Sequence, residues 1–240
     1  MPEEQTVTDA VTTFSLDYPN FDGPDQLCVH VVETDDATLM FGSGHESTVD
    51  EAVEIAREYD VDVVIPEHAD GDHYGGIPAM FDELDEPPEV AMGAIDTEWR
   101  SWDDENPIED EIPVDYRLEH GERYWGVLAV HLPGHTPGNM GFLYDDPDEG
   151  SVLIAGDTVT GSDFSALSGD DWSGELAIVP AGRNTGGDAN AQESIRKLVH
   201  YDFDHVAMTH GTNVIGNGKE EVRKLIHDLD RGMERSALSF

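Results

Sequence analysis

Hydrophobic positions fall along this chain in short runs, and the spacing within each run predicts an element. "TVTDAVTTFSL" (6–16) and "DQLCVHVVE" (25–33) read as strands, and "DD" turns the second into "ATLMFGSG". In "VDEAVEIAREY", Val49, Ala52, Val53 and Ala56 recur at helical spacing, with Ser47 or Thr48 at the expected cap. "VDVVI" is nearly continuous in apolar residues, as expected for a strand covered on both faces. "IPAMFDEL" predicts a helix. Residues 85–113, with "DEPPE" and "WDDENPIEDEIP", are the least regular stretch and are expected to include a surface excursion. "VDYRLEHGERYWGVLAVHLPG" predicts a hairpin and "MGFLYDDPDEGSVLIAGD" a second one. "NAQESIRKLVHY" predicts a helix, "FDHVAMTHG" a strand, and "KEEVRKLIHDLDRGMERS" a closing helix. Each half therefore runs from strands to helices, with no short repeat and no low-complexity linker. A single domain over residues 1–240 is the expectation.

Charge changes the picture next. The chain has 12 Lys plus Arg against 53 Asp plus Glu, a net charge of −41. The acids are spread between apolar segments rather than gathered in a tail, so a folded acidic surface is expected rather than disorder. Such a surface resembles the proteins of salt-loving microbes, such as a halophilic archaeon. At molar salt the Debye length is about 3 Å and self-repulsion is screened. The same charge argues against nucleic acid as a partner, because a phosphate backbone needs a basic patch. No apolar run approaches the roughly 20 residues of a membrane span. The amino terminus lacks the basic and apolar regions of a secretory signal, and a cytoplasmic protein is expected. The single Cys28 lies in an apolar run and reads as a small buried hydrophobe.

Candidate chemistry concentrates in "PEHADGDHYGG" (66–76), where His68, Asp70, Asp72 and His73 fall within six positions. In an extended turn, residues 68, 70 and 72 would face one side and His73 the other, so one loop would serve two adjacent metal sites. An acidic loop is cheap in so acidic a protein, and three later segments strengthen the metal reading. "LPGHTPGN" carries His135, "LIAGDTV" ends an apolar strand on Asp157, and "VAMTHG" does the same with His210. Each puts a metal-ligand type at a strand end, where active sites are commonly built. His30, His45, His120, His131, His200, His205 and His227 lack such surroundings and read as ordinary structural or surface residues.

Taken in order, His68-x-Asp70-x-Asp72-His73, then G-H-T-P-G, then G-D, then H-G, the pattern resembles the metallo-β-lactamase-fold superfamily of metal-dependent hydrolases. The resemblance runs from "CVHVVE" to the last helix. It implies an α+β fold, a four-layer αβ/βα sandwich of two mixed β-sheets with helices on the outer faces. It further implies a dinuclear centre with two divalent transition metals, zinc first, iron or manganese as alternatives. His68, Asp70 and His135 would hold one, Asp72, His73 and His210 the other, and Asp157 would bridge them. Asp72 would also orient the nucleophilic hydroxide and take its proton.

Two positions depart from the family pattern. Asp70 stands where a histidine is usual, which brings a harder, charged oxygen and favours iron or manganese more than an imidazole would. Phe41 and Gly42 in "LMFGSG" stand where the family has I-D-T-G, so orientation of the loop histidines must depend on another acid. The leading expectation is a hydrolase using a metal-bridging hydroxide on a small-molecule ester, thioester, lactone or phosphoester. The alternative is a non-haem iron redox enzyme, reacting with oxygen or a persulfide, on the same fold. A third is a metal-holding binding protein without catalysis. Arg183, a rare cation in "PAGRNTGGDAN", and Asn139, just past the His135 turn, are the candidate substrate-binding residues.

Overall fold

The computed structural model describes residues 2–20, 23, 25–98, 108, 111–166, 172–179 and 188–231. A seven-stranded sheet follows chain order: β1 (Glu3–Thr8), β2 (Val11–Ser15), β3 (Cys28–Glu33), β4 (Thr38–Phe41), β5 (Val63–Ile65), β6 (Glu89–Gly93) and β7 (Tyr116–Leu118). The first four strands pair antiparallel, and β4 to β7 pair parallel. Parallel neighbours need a crossover. Helix α1 (Val49–Glu58) joins β4 to β5, and the short α2 (Gly71–Tyr74) and α3 (Ile77–Glu83) lie between β5 and β6.

The second sheet contains β8 (Arg123–Tyr124), β9 (Val127–His131), β10 (Met140–Tyr144), β11 (Val152–Ile154) and β14 (His205–Ala207). Its spatial order is β14-β11-β10-β9-β8. A two-stranded ribbon, β12 (Val159–Gly161) with β13 (Leu176–Ile178), stands apart from it, and α4 (Asp188–Lys197) and α5 (Gly218–Asp230) complete the described elements.

Period-two alternation sorts the strand residues into layers. Along β4, Met40 packs with Ile55 of α1 and Met80 of α3, whereas Leu39 and Phe41 join the core between the sheets. Along β11, Val152 and Ile154 enter that same central core, while Leu153 packs with Ile195 of α4 and Leu225 of α5. The result is the expected α+β, four-layer sandwich. Phe41 and Phe142 meet across the central layer with ring centroids 4.9 Å apart, a contact contributing about 1 kcal/mol beyond its buried area. Cys28 is buried, and burial pushes its thiol pKa up. Among the described residues no helix is long and apolar enough to cross a membrane.

Three local expectations need correction. Residues 6–16 form a hairpin, with Thr8 opposite Val11; Asp9 alone marks the turn, with no glycine, asparagine or proline beside it, so the run reads as one strand. Residues 114–134 do not form one hairpin. β7 pairs with β6 in the first sheet, and β8 pairs with β9 in the second. The segment 85–113, expected to be irregular and to include a surface excursion, also contains β6, whose Val90, Ala91 and Met92 are fully buried. Its prolines and acids conceal a five-residue strand covered on both faces.

Candidate metal centre

Strand order decides where the candidate residues meet. β4, β5 and β6 run parallel, as do β11 and β14, so within each set the carboxyl ends lie at one edge. His68, Asp70, Asp72 and His73 follow β5, Asp157 follows β11, and His210 follows β14. β10 runs antiparallel to β9, which returns the His135 turn to the same edge. The two sheets are tied there directly: Met140 N donates to Glu67 O at 2.9 Å and Cys28 N to Thr209 O at 2.7 Å.

The motif loop is extended only as far as Asp70 (φ −103°, ψ 147°). His73 N and Tyr74 N then donate to Asp70 O, closing one helical turn. Asp72 and His73 therefore project from consecutive helical positions, a correction to the extended turn expected from the sequence. Ser43, after β4, holds that turn in place by donating its N–H to His73 O at 2.7 Å.

The structure brings all seven candidate ligands together. His68, Asp70 and His135 form one group whose donor atoms lie within 4.8 Å of one another, and Asp72, His73 and His210 form another. Asp70 Oδ2 is 2.9 Å from His135 Nε2 and 3.3 Å from His68 Nε2. His210 Nε2 is 3.4 Å from Asp72 Oδ2. Asp157 stands between the groups: Oδ2 is 3.4 Å from His135 Nε2, and Oδ1 is 3.5 Å from His73 Nε2 and 3.6 Å from His210 Nε2.

The donor set suits cations. His68 Nε2, His73 Nε2 and Asp157 Oδ1 are buried without a hydrogen-bond partner, although polar atoms crowd around them. Buried polar atoms are normally satisfied, so convergent unsatisfied donors point to a ligand that accepts their lone pairs. The electrostatics agree. Burial alone would lift the Asp157 carboxyl, but the imidazoles of His210, His73 and His135 hold it well below the usual carboxylate range. Burial opposes charge on His73, yet Asp157 and Glu67 raise it well above an ordinary histidine. Asp70 is likewise held low against its burial by His135 and His68. The carboxylates of the cluster thus favour positive charge beside them, which protonated imidazoles or divalent cations can supply.

Supporting residues missed in the sequence explain why the loops hold this shape. Asp96, fully buried, accepts from Ala69 N at 3.1 Å, Thr136 Oγ1 at 2.7 Å and Gly138 N at 2.6 Å. It therefore pins the His68 loop to the His135 turn. A side chain at Gly138 would collide with Asp96. Glu67 Oε2 lies 2.9 Å from His73 Nδ1, and Gln26 O accepts from His210 Nδ1 at 2.7 Å. Phe164 stacks on the His210 ring at 4.6 Å. Asp96 sits in the segment taken for a surface excursion, and its signal was an acid closely following an apolar run.

Asn139 has a different place from the one expected. It is fully buried; its Nδ2 donates to Leu132 O and Thr158 Oγ1, and its Oδ1 accepts from Asp157 N at 3.2 Å. Its amide joins the His135 turn to the Asp157 turn. Arg183 lies outside the described residues. Among the remaining histidines, His131 Nε2 bonds Pro137 O and His205 Nε2 bonds Glu149 O, both as structural ties.

A two-sheet α+β sandwich carrying, at one sheet edge, a buried histidine–aspartate cluster that could hold metal defines the class of this protein. The sequence profile of the metallo-beta-lactamase superfamily matches residues 22–210, and the chain belongs to that superfamily. It is 33% identical over 115 residues to uncharacterized protein YobT of Bacillus subtilis (strain 168). That match covers 42% of this chain and 48% of the other, so it spans about half the length of the curated relative. Among solved structures, the chain is similar to DIM-1 metallo-beta-lactamase exposed to ceftazidime, with TM-score 0.67, 14% identity, and 95% and 96% of the two chains covered. It is also similar to BJP-1, a subclass B3 metallo-beta-lactamase of Bradyrhizobium japonicum, with TM-score 0.63, 16% identity, and 96% and 93% covered. Identities this low speak for the fold alone.

Proposed function

We propose that the protein is a metal-dependent hydrolase that holds two divalent transition metals, zinc foremost, and cleaves a small-molecule ester, thioester, lactone or phosphoester. The observation that carries this reading is the placement of Asp157, one oxygen toward His135 and the other toward His73 and His210. A carboxylate so placed suits a bridge, with His68, Asp70 and His135 holding one cation and Asp72, His73 and His210 the other. Bound there, the cations supply Lewis acidity and lower the pKa of water toward neutrality.

Asp72 is the residue for proton transfer. Its side chain is 23% exposed, against 15% for His135 and less for the other five. Burial opposes its charge, but His210 and His73 hold its pKa below the ordinary carboxylate value. It is therefore an ionised acceptor on the open side of the cluster, able to orient a water and take its proton. The net charge of −41 supports work at high salt, on a substrate other than nucleic acid.

The test is elemental analysis of reconstituted protein, followed by a screen of thioesters, lactones and phosphoesters at high salt. Turnover should disappear on chelation and return with added metal. A fully loaded protein inactive on every ester class would count against hydrolysis. The oxygen donor of Asp70 in the first group supports a second reading, a non-haem iron redox enzyme. Oxygen uptake or persulfide oxidation by the iron-loaded protein would separate it from the first.

A further inference from the structure

We propose that Glu67 is the positioning residue of this centre, a buried carboxylate that fixes the His73 ring, and that Gly42 provides the space it occupies. The proposal rests on the metal-centre reading above, and it assigns to a residue outside the seven ligands the task of orienting one of them.

Glu67 follows β5 by two residues and is fully buried. Its own backbone is anchored to the second sheet, because its carbonyl accepts from Met140 N at 2.9 Å. From that fixed point Oε2 reaches to 2.9 Å from His73 Nδ1. With Nδ1–H donating to the carboxylate, Nε2, which faces Asp157 at 3.5 Å, is the nitrogen whose proton a cation would displace. The hydrogen bond thus selects the tautomer and the ring orientation that a cation site requires. A carboxylate moved from water into a protein interior is costly unless paired. A position that served packing alone would carry an apolar residue.

Gly42 completes the arrangement. A Cβ built there would sit 3.5 Å from Glu67 Oε2 and 3.9 Å from Oε1, so a longer side chain would compete for the carboxylate's place. Its φ of +69° also favours glycine, although aspartate tolerates that region better than most residues. Positions 42 and 67 therefore address one volume from two strand ends. On β3, His30 is the other buried imidazole near Glu67; its Nδ1 lies 2.9 Å from Thr13 Oγ1, and its Nε2 has no hydrogen-bond partner. His73 is thus the ring that the carboxylate directly holds.

The experiment compares the parent, Glu67→Gln, Glu67→Ala and the double variant Gly42→Asp/Glu67→Ala. Zinc titration by calorimetry, with stoichiometry by native mass spectrometry, should show the second cation bound 10- to 100-fold more weakly in Glu67→Ala. The first should be nearly unaffected. Glu67→Gln, which keeps an acceptor but loses the charge, should fall between, and Gly42→Asp should recover part of the loss. Unchanged affinity at both sites in Glu67→Ala would overturn the proposal. So would equal loss at both sites in Glu67→Gln and Glu67→Ala without rescue, which is the mark of a merely structural role. A separate readout needs no metal: the proton on His73 Nδ1 should give a downfield resonance in the metal-free parent, absent in Glu67→Ala. If that resonance is present and zinc does not bind, the metal-centre reading fails and the positioning contact stands. If it is missing from the parent, the positioning proposal fails.

Discussion

Asp70 Oδ2 and His135 Nε2 stand 2.9 Å apart, joining the loop after β5 to the turn after β9. The contact lies inside one of the two candidate ligand groups, and it places an oxygen where the family pattern has an imidazole. Asp70→Ala should therefore lower metal affinity and remove nearly all turnover while the apolar core keeps the fold. Asp70→His should shift preference toward zinc, because a neutral nitrogen replaces a charged, harder donor. Metal competition assays on the two variants check this. Equal metal content and rate in parent and variants would sink the assignment of Asp70 as a ligand.

The two groups should empty separately. His210→Ala or His73→Ala removes a donor from the second group and leaves His68, Asp70 and His135 intact. Reconstituted parent should carry two metals per chain and either variant one, by native mass spectrometry. A carefully loaded parent with a single metal would defeat the dinuclear proposal.

Asp96 should matter to stability as well as to the site. Its carboxylate accepts three hydrogen bonds, two of them from backbone N–H groups. Bonds to a charged group contribute roughly 1.5–3 kcal/mol each, and deletion leaves buried donors unsatisfied. Asp96→Ala should destabilise the fold by about 3 kcal/mol or more in urea, with weaker metal binding because the His68 and His135 loops are no longer joined. Asp96→Asn, which keeps one acceptor oxygen, should lose less.

Stability should fall as pH drops, in part through His30. Burial lowers its pKa to about 4 from an ordinary 6.5. Between these values the unfolded chain binds the proton and the folded one does not, so acidification favours unfolding. The shift corresponds to roughly 3 kcal/mol, present in full above pH 6.5 and lost progressively toward pH 4. His30→Gln should flatten that part of the stability profile, measured as the difference in denaturation free energy between parent and variant. Parallel profiles would show that His30 titrates normally.

Salt should stabilise the protein. With a net charge of −41, repulsion among surface carboxylates opposes the compact state at low ionic strength and is screened at molar KCl. Thermal midpoints should rise steadily across that range. A flat or falling midpoint would leave salt adaptation without support.

Much of this protein was legible in one dimension. The apolar runs of β3, β4, β5 and β10 and the helical spacing of α1 and α5 are local properties, since a strand or an amphipathic helix writes its own period. The candidate ligands were legible for a related reason: each follows a strand, and glycine or a turn residue marks the end. Other features had no local trace. The Asp9–Ala10 turn carries no glycine, asparagine or proline, and whether β7 joins the first sheet or the second depends on which strand lies beside it. The family pattern has an aspartate where Gly42 stands, so another acid is expected to orient the loop histidines. That the acid is Glu67 depends on its carboxylate reaching His73 Nδ1 in a space left open by Gly42. Asp96 acts on residues 27 to 42 positions away, and Asn139 spends its amide on Leu132, Asp157 and Thr158. Hydrogen bonds of that kind form only after two sheets have packed and brought distant loops to one edge. The residue types were therefore set by the chain, and their division into ligands and supports by tertiary structure, because burial and distance are properties of the packed molecule.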